Sequence, residues 1–140
     1  MKLYAVIDTN VLVSALLRWY SIPGAILEQA LAGGIVPVVS NGILAEYDNV
    51  LHRRKFSFAE EDIQAVIEEI RKRAVFLDPE PVKENLPDPG DVVFYAVTLA
   101  ARKQEDAFLV TGNIRHFPSR SYIVTPREFL NLLESILGEG

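Results

Sequence analysis

The alternation of hydrophobic and polar positions at the start of the chain predicts one strand and two helices. Residues 3–7 form a continuous apolar run with β-branched members, which is typical of a strand buried on both faces of a parallel sheet. This run ends at Asp8. Residues 11–17 have the pattern of a short helix. A second helix is predicted from Pro23 to residue 32, where two glycines end it.

The next segment predicts a strand over residues 35–39 and a helix over residues 41–51. The apolar side chains of this helix form one stripe, which indicates a face packed against the core. Glu46 and Asp48 border the stripe on opposite sides. Periodicity alone therefore does not favour one of these two acids over the other as a functional residue.

The region after the second strand predicts an amphipathic helix and then a loop. The Ser-Phe-Ala-Glu sequence at residues 57–60 has the form of a capping box, and the helix it starts is predicted to extend to about residue 73. A short strand follows over residues 75–77. Residues 78–90 contain four of the eight prolines, so we expect a loop without regular structure there.

The last third of the chain predicts a central helix, two strands and a C-terminal helix. Residues 92–101 are apolar nearly all the way round, which on a helix means packing against neighbours on most sides. Residues 107–111 follow as a buried strand and residues 122–124 as a short one. The Thr-Pro-Arg-Glu sequence at residues 125–128 is a second capping box, which opens the last helix.

Strands that alternate with helices predict an α/β fold, in which a parallel sheet is covered by helices on both faces. Such sheets bind ligands at the carboxyl ends of their strands. Asp8 lies at the end of the first strand, and Thr111, Gly112 and Asn113 lie at the end of a later one. With 140 residues, we expect a single domain over residues 1–140.

The composition narrows the class of protein. The apolar fraction of 49% and the charged fraction of 24% are those of a globular protein. The absence of cysteine excludes disulfides, thiolate metal sites and a cysteine nucleophile. No signal-peptide core or membrane-length apolar run is visible, so we expect a soluble cytoplasmic protein with no membrane partner. The net charge of −5 restricts any nucleic-acid contact to local patches.

Several common kinds of catalytic site are missing from the sequence. There is no Gly-Lys pair for a phosphate-binding loop, no dinucleotide-binding fingerprint after the first strand, and no zinc-protease pair of histidines. Only His52 and His116 are present, and neither lies near a nucleophile-elbow sequence. Acyl-transfer chemistry is therefore disfavoured.

Acidic residues at the ends of predicted elements are the remaining candidates, namely Asp8, Glu46, Asp88 and Asp91. Carboxylates that are brought together repel one another unless a cation neutralises them. Their hard oxygen ligands suit Mg²⁺ or Mn²⁺. A divalent ion in such a site lowers the pKa of a bound water and stabilises charge on a phosphodiester, which is the chemistry of a nuclease.

Structural roles compete with this interpretation. Asp8, Asp88 and Asp91 all precede predicted helices, where aspartate commonly caps the helix. The basic clusters at residues 52–55 and 71–73 follow helical stretches, and we interpret both as charges that stabilise helix ends.

Other side chains near predicted element ends remain open to more than one interpretation. Arg115 and His116 follow a strand end directly, where they would meet a phosphate. Trp19 and Tyr20 have the character of core, base-stacking or subunit-contact residues.

Four stretches in order resemble the PIN-domain family, in particular its small prokaryotic VapC-like toxin ribonucleases, over essentially the whole chain. The matching stretches are residues 6–14 (Val-Ile-Asp-Thr-Asn-Val-Leu-Val-Ser), residues 43–47 with Val50 and Leu51, residues 88–91 before the apolar helix, and residues 109–113 followed by His116 and Phe117.

The resemblance implies a PIN-like three-layer α/β/α sandwich with a central, mostly parallel sheet. It also implies Mg²⁺- or Mn²⁺-dependent cleavage of single-stranded RNA by the toxin of a toxin–antitoxin pair. The three acids of the family's site carry over to Asp8, Glu46 and Asp91; Asp91 matches rather than Asp88 because it directly precedes the apolar helix.

The chain departs from the family pattern at Asn113, where many members have a fourth acidic residue. An amide offers a carbonyl oxygen to a cation or a water but brings no negative charge, so the binding of a second metal ion is in question. We nevertheless count Asn113 among the catalytic candidates. Gly90 is a lesser departure, because acidic residues often occupy that position in the family.

The residue chemistry and the resemblance together give a mechanistic hypothesis. Asp8 and Asp91 bind one Mg²⁺, and Glu46 either ligates it or holds the water that attacks phosphorus. Residues expected to support this site or contact the substrate are Asn10, Thr111, Asn113, Arg115 and His116, the last two through RNA phosphates. The products are a 5′-phosphate and a 3′-hydroxyl.

The family also implies two protein partners, a cognate antitoxin and a second copy in a homodimer. Two other classes of function remain open. One is a phosphotransferase that uses Asp8 as a covalent nucleophile, although Asn10 replaces the second acid expected there. The other is a catalytically weak or inactive PIN scaffold that acts as a binding module, which Asn113 leaves open.

Overall fold

A five-stranded parallel sheet forms the centre of the structure, a computed structural model that describes residues 2–139 and the side chains of residues 2–138. The strand order is β3-β2-β1-β4-β5. The strands are β1 (Leu3–Ile7), β2 (Ile35–Val39), β3 (Val75–Phe76), β4 (Ala107–Val110) and β5 (Ile123–Val124).

Six α-helices connect or follow these strands. They are α1 (Thr9–Leu17), α2 (Ile22–Ala32), α3 (Asn41–Leu51), α4 (Glu60–Arg73), α5 (Val92–Arg102) and α6 (Pro126–Glu139). Short 3₁₀ helices lie at Arg54–Phe56, Pro89–Asp91 and Ile114–His116. The predicted α/β fold and the order of elements are confirmed, and the predicted bounds differ from the observed ones by three residues at most.

The side chains of β1 show why the fold has three layers. Val6 packs into one hydrophobic cluster, while Leu3, Ala5 and Ile7 pack into the other. Because successive side chains of a strand point to opposite faces, these two clusters lie on the two sides of the sheet. Helices α3, α4 and α5 cover the first side, and α6 covers the second with part of α2.

Helix α5 occupies the centre of the first layer, as its apolar sequence predicts. It packs against β1, β2, β4 and α3. Phe94, Tyr95 and Val97 are buried in this layer, with at most 1% of each side chain exposed. The N-terminus of α5 therefore has a fixed position relative to the carboxyl ends of β1 and β4.

The capping box at the start of α6 is confirmed. The Thr125 hydroxyl accepts a hydrogen bond from the Glu128 amide at 3.1 Å, and the Glu128 carboxylate accepts one from the Thr125 amide at 2.9 Å. These reciprocal bonds satisfy two backbone donors that a helix start leaves unpaired.

The capping box predicted at residues 57–60 is wrong. Ser57 ends the 3₁₀ helix at Arg54–Phe56 with a φ of 55°, and helix α4 begins at Glu60 without a side-chain cap. Glu60 bonds instead to His52 and Gln64. The tertiary contact with His52 overrides the local motif because it removes the acid that a capping box needs.

No single helix among residues 2–139 is long and apolar enough to cross a membrane. Helices α1 and α2 reach the required length and composition only as a pair, which bends by 101° at its break.

Substitutions in the two Ser/Thr-x-x-Glu sequences should change the stability of the protein in opposite directions. Thr125→Ala removes a formed cap and is expected to lower the free energy of unfolding by about 1 kcal/mol. Ser57→Gly relieves a left-handed backbone and is expected to raise it by about 1 kcal/mol. Urea denaturation of both variants measures this contrast. A loss of stability in both would mean that Ser57 acts as a cap after all.

Candidate functional site

Asp8 is the buried centre of the site. It follows β1 directly, and only 4% of its surface is exposed. Its Oδ2 atom accepts hydrogen bonds from the Thr111 hydroxyl at 2.7 Å and from the Asn10 amide at 3.2 Å. These two donors come from opposite ends of the sequence, and together they hold the carboxylate in one orientation.

The segments after β1 and β4 are joined by further hydrogen bonds. The Gly112 amide donates to Asn10 Oδ1 at 3.2 Å, and the Asn113 amide donates to the Thr111 hydroxyl at 3.0 Å. Because β1 and β4 are adjacent parallel strands, their carboxyl ends meet at the same edge of the sheet. The sequence-predicted strand-end cluster of Asp8 and residues 111–113 is therefore present in the structure.

Helix α3 places Glu46 beside this cluster. The Tyr47 hydroxyl donates to the Ile7 carbonyl at 2.5 Å, which fixes the helix against the end of β1. Glu46 is half-buried and lines the cavity above Asp8. Asp48, which hydrophobic periodicity did not distinguish from Glu46 as a candidate functional residue, is exposed and lies beside His52 instead.

The 3₁₀ helix before α5 supplies two more acids. Asp88 accepts a hydrogen bond from the Gly90 amide at 2.9 Å, so it caps this short helix as one interpretation of the sequence predicts. Asp91 is half-buried, and its Oδ2 atom accepts a hydrogen bond from His116 Nδ1 at 3.1 Å. His116 therefore orients Asp91.

These elements surround one open cavity of about 450 Å³. Its acidic lining consists of Asp8, Glu46, Asp88 and Asp91; its polar lining includes Thr9, Asn10, Ser14 and Asn113; its basic and aromatic lining consists of Arg53, Lys55, Phe56 and Phe94. The structure thus brings together five of the predicted site residues, namely Asp8, Asn10, Glu46, Asp91 and Asn113.

Burial and like charge both act on the acids of the cavity. Burial raises the pKa of Asp8, and the nearby Asp91 carboxylate raises it further, against the hydrogen bond from Thr111. Burial also raises the pKa of Asp91, with a further contribution from Asp88, while His116 acts in the opposite direction. The site therefore holds negative charge at an energetic cost, which a bound cation would reduce.

The residues present fit a divalent cation in their chemistry. Carboxylate oxygens are hard ligands, and the buried Thr9 hydroxyl on the cavity wall has no hydrogen-bond partner among the described residues. A Cβ atom at Gly90 would lie 3.3 Å from Asp88 Oδ1 and 3.9 Å from Glu46 Oε1, so glycine keeps the space between these acids open. Across residues 2–138, however, no three acidic or histidine side chains are already arranged to hold a metal ion.

Three of the residues expected to support the site or contact the substrate, namely Thr111, Arg115 and His116, do not line the cavity. Thr111 has no exposed surface and its hydroxyl is buried against Asp8, so its position fits a supporting role and leaves it no surface for contact with substrate. Arg115 is exposed and is not among the residues that line the cavity. Thr111 is the last residue of the predicted strand and Arg115 follows it; the chain there directs the first side chain inward and the second to solvent.

Sequence reasoning missed Thr9, Arg53, Lys55 and Phe56 as cavity residues. Thr9 is adjacent to Asp8, so the strand-end position was the available signal. Arg53 and Lys55 belong to the basic cluster interpreted as helix-end charge. Their position at the cavity depends on the turn that follows α3, which the local pattern does not indicate.

Comparison with known proteins gives one family and one fold relative. The family described as PIN domain matches residues 4–115. A chain of the crystal structure of VapBC2 from Rickettsia felis, bound to a DNA fragment from their promoter, superimposes with a TM-score of 0.58 and 19% identity. The match covers 88% of this chain and 96% of that chain and shows a shared fold.

No curated protein matches the chain significantly in sequence. The PIN-domain match nevertheless spans β1 to β4 and includes every acid of the cavity. The fold relative has the same α/β/α architecture over most of both chains. The chain belongs to the PIN-domain family.

Proposed function

We propose that this protein is an endoribonuclease that cleaves single-stranded RNA with the help of Mg²⁺ or Mn²⁺. The observation that carries this proposal is the convergence of four carboxylates, from three separate elements, on one open cavity at the carboxyl ends of β1 and β4. PIN-domain proteins are generally nucleases that use divalent metal ions. Hydrolysis of a phosphodiester fits both observations.

Asp8, Glu46 and Asp91 are the residues that would hold the cation. When bound, a divalent ion lowers the pKa of water and neutralises charge that develops on the phosphodiester oxygens. Asp88 also lines the cavity, but its Oδ1 atom already accepts the Gly90 amide. We assign Asp88 to the shape of the 3₁₀ helix and retain Asp91 as the third ligand, because Asp91 directly precedes α5 as the family resemblance implies.

The neighbouring polar residues act on these acids. Thr111 and Asn10 direct two hydrogen bonds to the same oxygen of Asp8, which keeps the carboxylate oriented and favours its charged form. His116 donates to Asp91 in the same way. The side chain of Asn113 brings no charge, so the cavity has one negative charge fewer than a site with a fourth acid at that position.

We further propose that the protein is the toxin of a toxin–antitoxin pair, that it binds a cognate antitoxin and that it forms a homodimer. The fold relative from Rickettsia felis is part of a VapBC2 assembly. In this chain, an apolar groove of about 390 Å³ lies between α1, α2 and α4. Trp19 lines this groove and is 40% exposed, and Tyr20, the next residue in the chain, is 97% exposed; exposed aromatic side chains are typical of a protein contact surface.

Replacement of Asp8 by Asn should abolish cleavage while the fold is retained. We expect the rate on a single-stranded RNA to fall by at least about a hundredfold, because the charge that would hold the cation is lost. The assay follows fragments of a defined RNA by gel and identifies their end groups, which should be a 5′-phosphate and a 3′-hydroxyl.

Asp48→Asn provides the matched control, since it makes the same chemical change on an exposed acid outside the cavity. This variant should cleave at the parent rate. Equal rates for Asp8→Asn and the parent would contradict the assignment. Absence of cleavage in the parent, together with absence of divalent-ion binding, would favour a scaffold that works only by binding a partner.

The stability of the metal-free protein should reveal the cost of the buried charge. Because burial raises the pKa of Asp8 in the folded state, the charged carboxylate destabilises the protein at neutral pH. With a chelator present, Asp8→Asn is expected to unfold at a higher urea concentration than the parent at pH 7. This gain in the urea midpoint should shrink as the pH falls through the raised pKa of Asp8, since the Asp8 side chain of the parent then becomes neutral too. A gain that does not change with pH would contradict this explanation.

Divalent ions should stabilise the parent selectively. At a concentration about 100 times the dissociation constant, Mn²⁺ or Mg²⁺ would add about 2.7 kcal/mol to the free energy of unfolding, which corresponds to a melting temperature several degrees higher. Asp8→Asn and Glu46→Gln should lose most of this shift, and Asp48→Asn should retain it. Thermal unfolding monitored by circular dichroism measures the effect. Equal shifts in all four proteins would place the ion elsewhere.

A further inference from the structure

The lining of the acidic cavity also contains basic residues. Arg53, Lys55 and Phe56 line the same cavity as Asp8 and Glu46. They belong to residues 53–56, here called the basic segment, which follows α3 and includes the 3₁₀ helix at Arg54–Phe56. The chain thus places two cations in the lining of the same cavity as the acids of the proposed site.

These two cations differ from the other basic cluster of the sequence. Arg71, Lys72 and Arg73 at the end of α4 all pair with Glu68 or Glu69, as expected for charges that serve the helix. Among the described side chains, neither Arg53 nor Lys55 forms an ion pair with a carboxylate. Their charges are therefore available to an anion that enters the cavity.

The basic segment is held in place at its base. His52 donates from Nδ1 to the Asp48 carbonyl at 2.7 Å and from Nε2 to the Glu60 carboxylate at 2.5 Å. The second bond links the end of α3 to the start of α4 and thus spans the segment between them. Ser57 closes the segment in a left-handed conformation, with a φ of 55°. A backbone held in this unfavourable region is typical of a functional turn.

Aromatic contacts shape the segment further. The rings of Phe56 and Phe58 stack with their centroids 5.7 Å apart and their planes 24° apart. Lys55 Nζ lies 5.1 Å from the centroid of the Phe56 ring, within the range of a cation–π interaction. Phe56 thus supports the side chain of Lys55 where it faces the cavity.

We infer that Arg53 and Lys55 bind backbone phosphates of a single-stranded RNA and position it over the acidic centre; this inference rests on the proposed nuclease function. An RNA strand that approaches four carboxylates on a protein of net charge −5 meets repulsion. Cations on the cavity wall compensate for this repulsion where the strand must enter. Arg53 and Lys55 are positioning residues, since they act on the substrate backbone and not on the reacting bond.

Direct binding measurements test this assignment without cleavage. A fluorescently labelled single-stranded RNA is titrated with Asp8→Asn protein in a chelator, and anisotropy gives the dissociation constant at several salt concentrations. Adding Arg53→Gln or Lys55→Gln should weaken binding roughly three- to tenfold. The slope of log affinity against log salt should fall by about 0.7 for each cation removed.

Arg54→Gln is the matched control, because Arg54 belongs to the same segment and carries the same charge but does not line the cavity. Lys72→Gln on α4 controls for net charge alone. Both should leave the salt slope unchanged. Binding by Arg53→Gln and Lys55→Gln that equals binding by these controls would overturn the inference.

Kinetics separate a positioning role from a general structural effect. In otherwise unchanged protein, Arg53→Gln should raise KM with little change in kcat. Arg53→Lys keeps the charge and should recover part of the lost affinity for RNA. The rise in melting temperature that Mn²⁺ produces should be the same in Arg53→Gln as in the parent. If the parent cleaves RNA and Arg53→Gln does so with the same KM, the inference fails while the nuclease stands. If the parent does not cleave but binding still depends on Arg53 and Lys55, the nuclease fails while the binding surface stands.

Discussion

The burial of one charged carboxylate at the end of the central strand is the constraint on which the site depends. Asp8 is nearly inaccessible, and Thr111 and Asn10 compensate for part of the cost of its burial by hydrogen bonds to a single oxygen. These bonds also join the segments after β1 and β4. The same interactions that make a buried aspartate tolerable therefore align the edge of the sheet where the cavity forms.

The other acids reach this edge through interactions that are mostly apolar. Tyr47 anchors α3 to the end of β1, and the buried face of α5 fixes the position of Asp91. Packing thus holds the carboxylates near one another, at a cost: burial first, and a neighbouring carboxylate second, raises the pKa of Asp8 and of Asp91. In this view the fold stores unfavourable electrostatic energy in the cavity, and a divalent cation would release it.

The lining of the cavity carries charges of both signs. The acids come from the end of β1, from α3 and from the segment before α5, and the basic segment supplies Arg53 and Lys55, which pair with no carboxylate among the described side chains. The His52 and Glu60 contact that holds this segment is also the one that removes Glu60 from a local capping box. The same contact therefore prevents the capping box at residues 57–60 and helps to position the two cations beside the site.

The sequence by itself determined the α/β class and the order of elements, because hydrophobic periodicity is a local property. Positions at element ends made Asp8 and Asp91 candidates, and the family resemblance added Glu46. The sequence also determined the capping box at Thr125, where the local motif forms both of its hydrogen bonds. Periodicity did not separate Glu46 from Asp48, and only the tertiary structure decided that Glu46 and Arg53 line the cavity while Asp48 does not. These outcomes depend on how α3 rotates against β1 and on the turn at Ser57, which are set by contacts between residues distant in sequence.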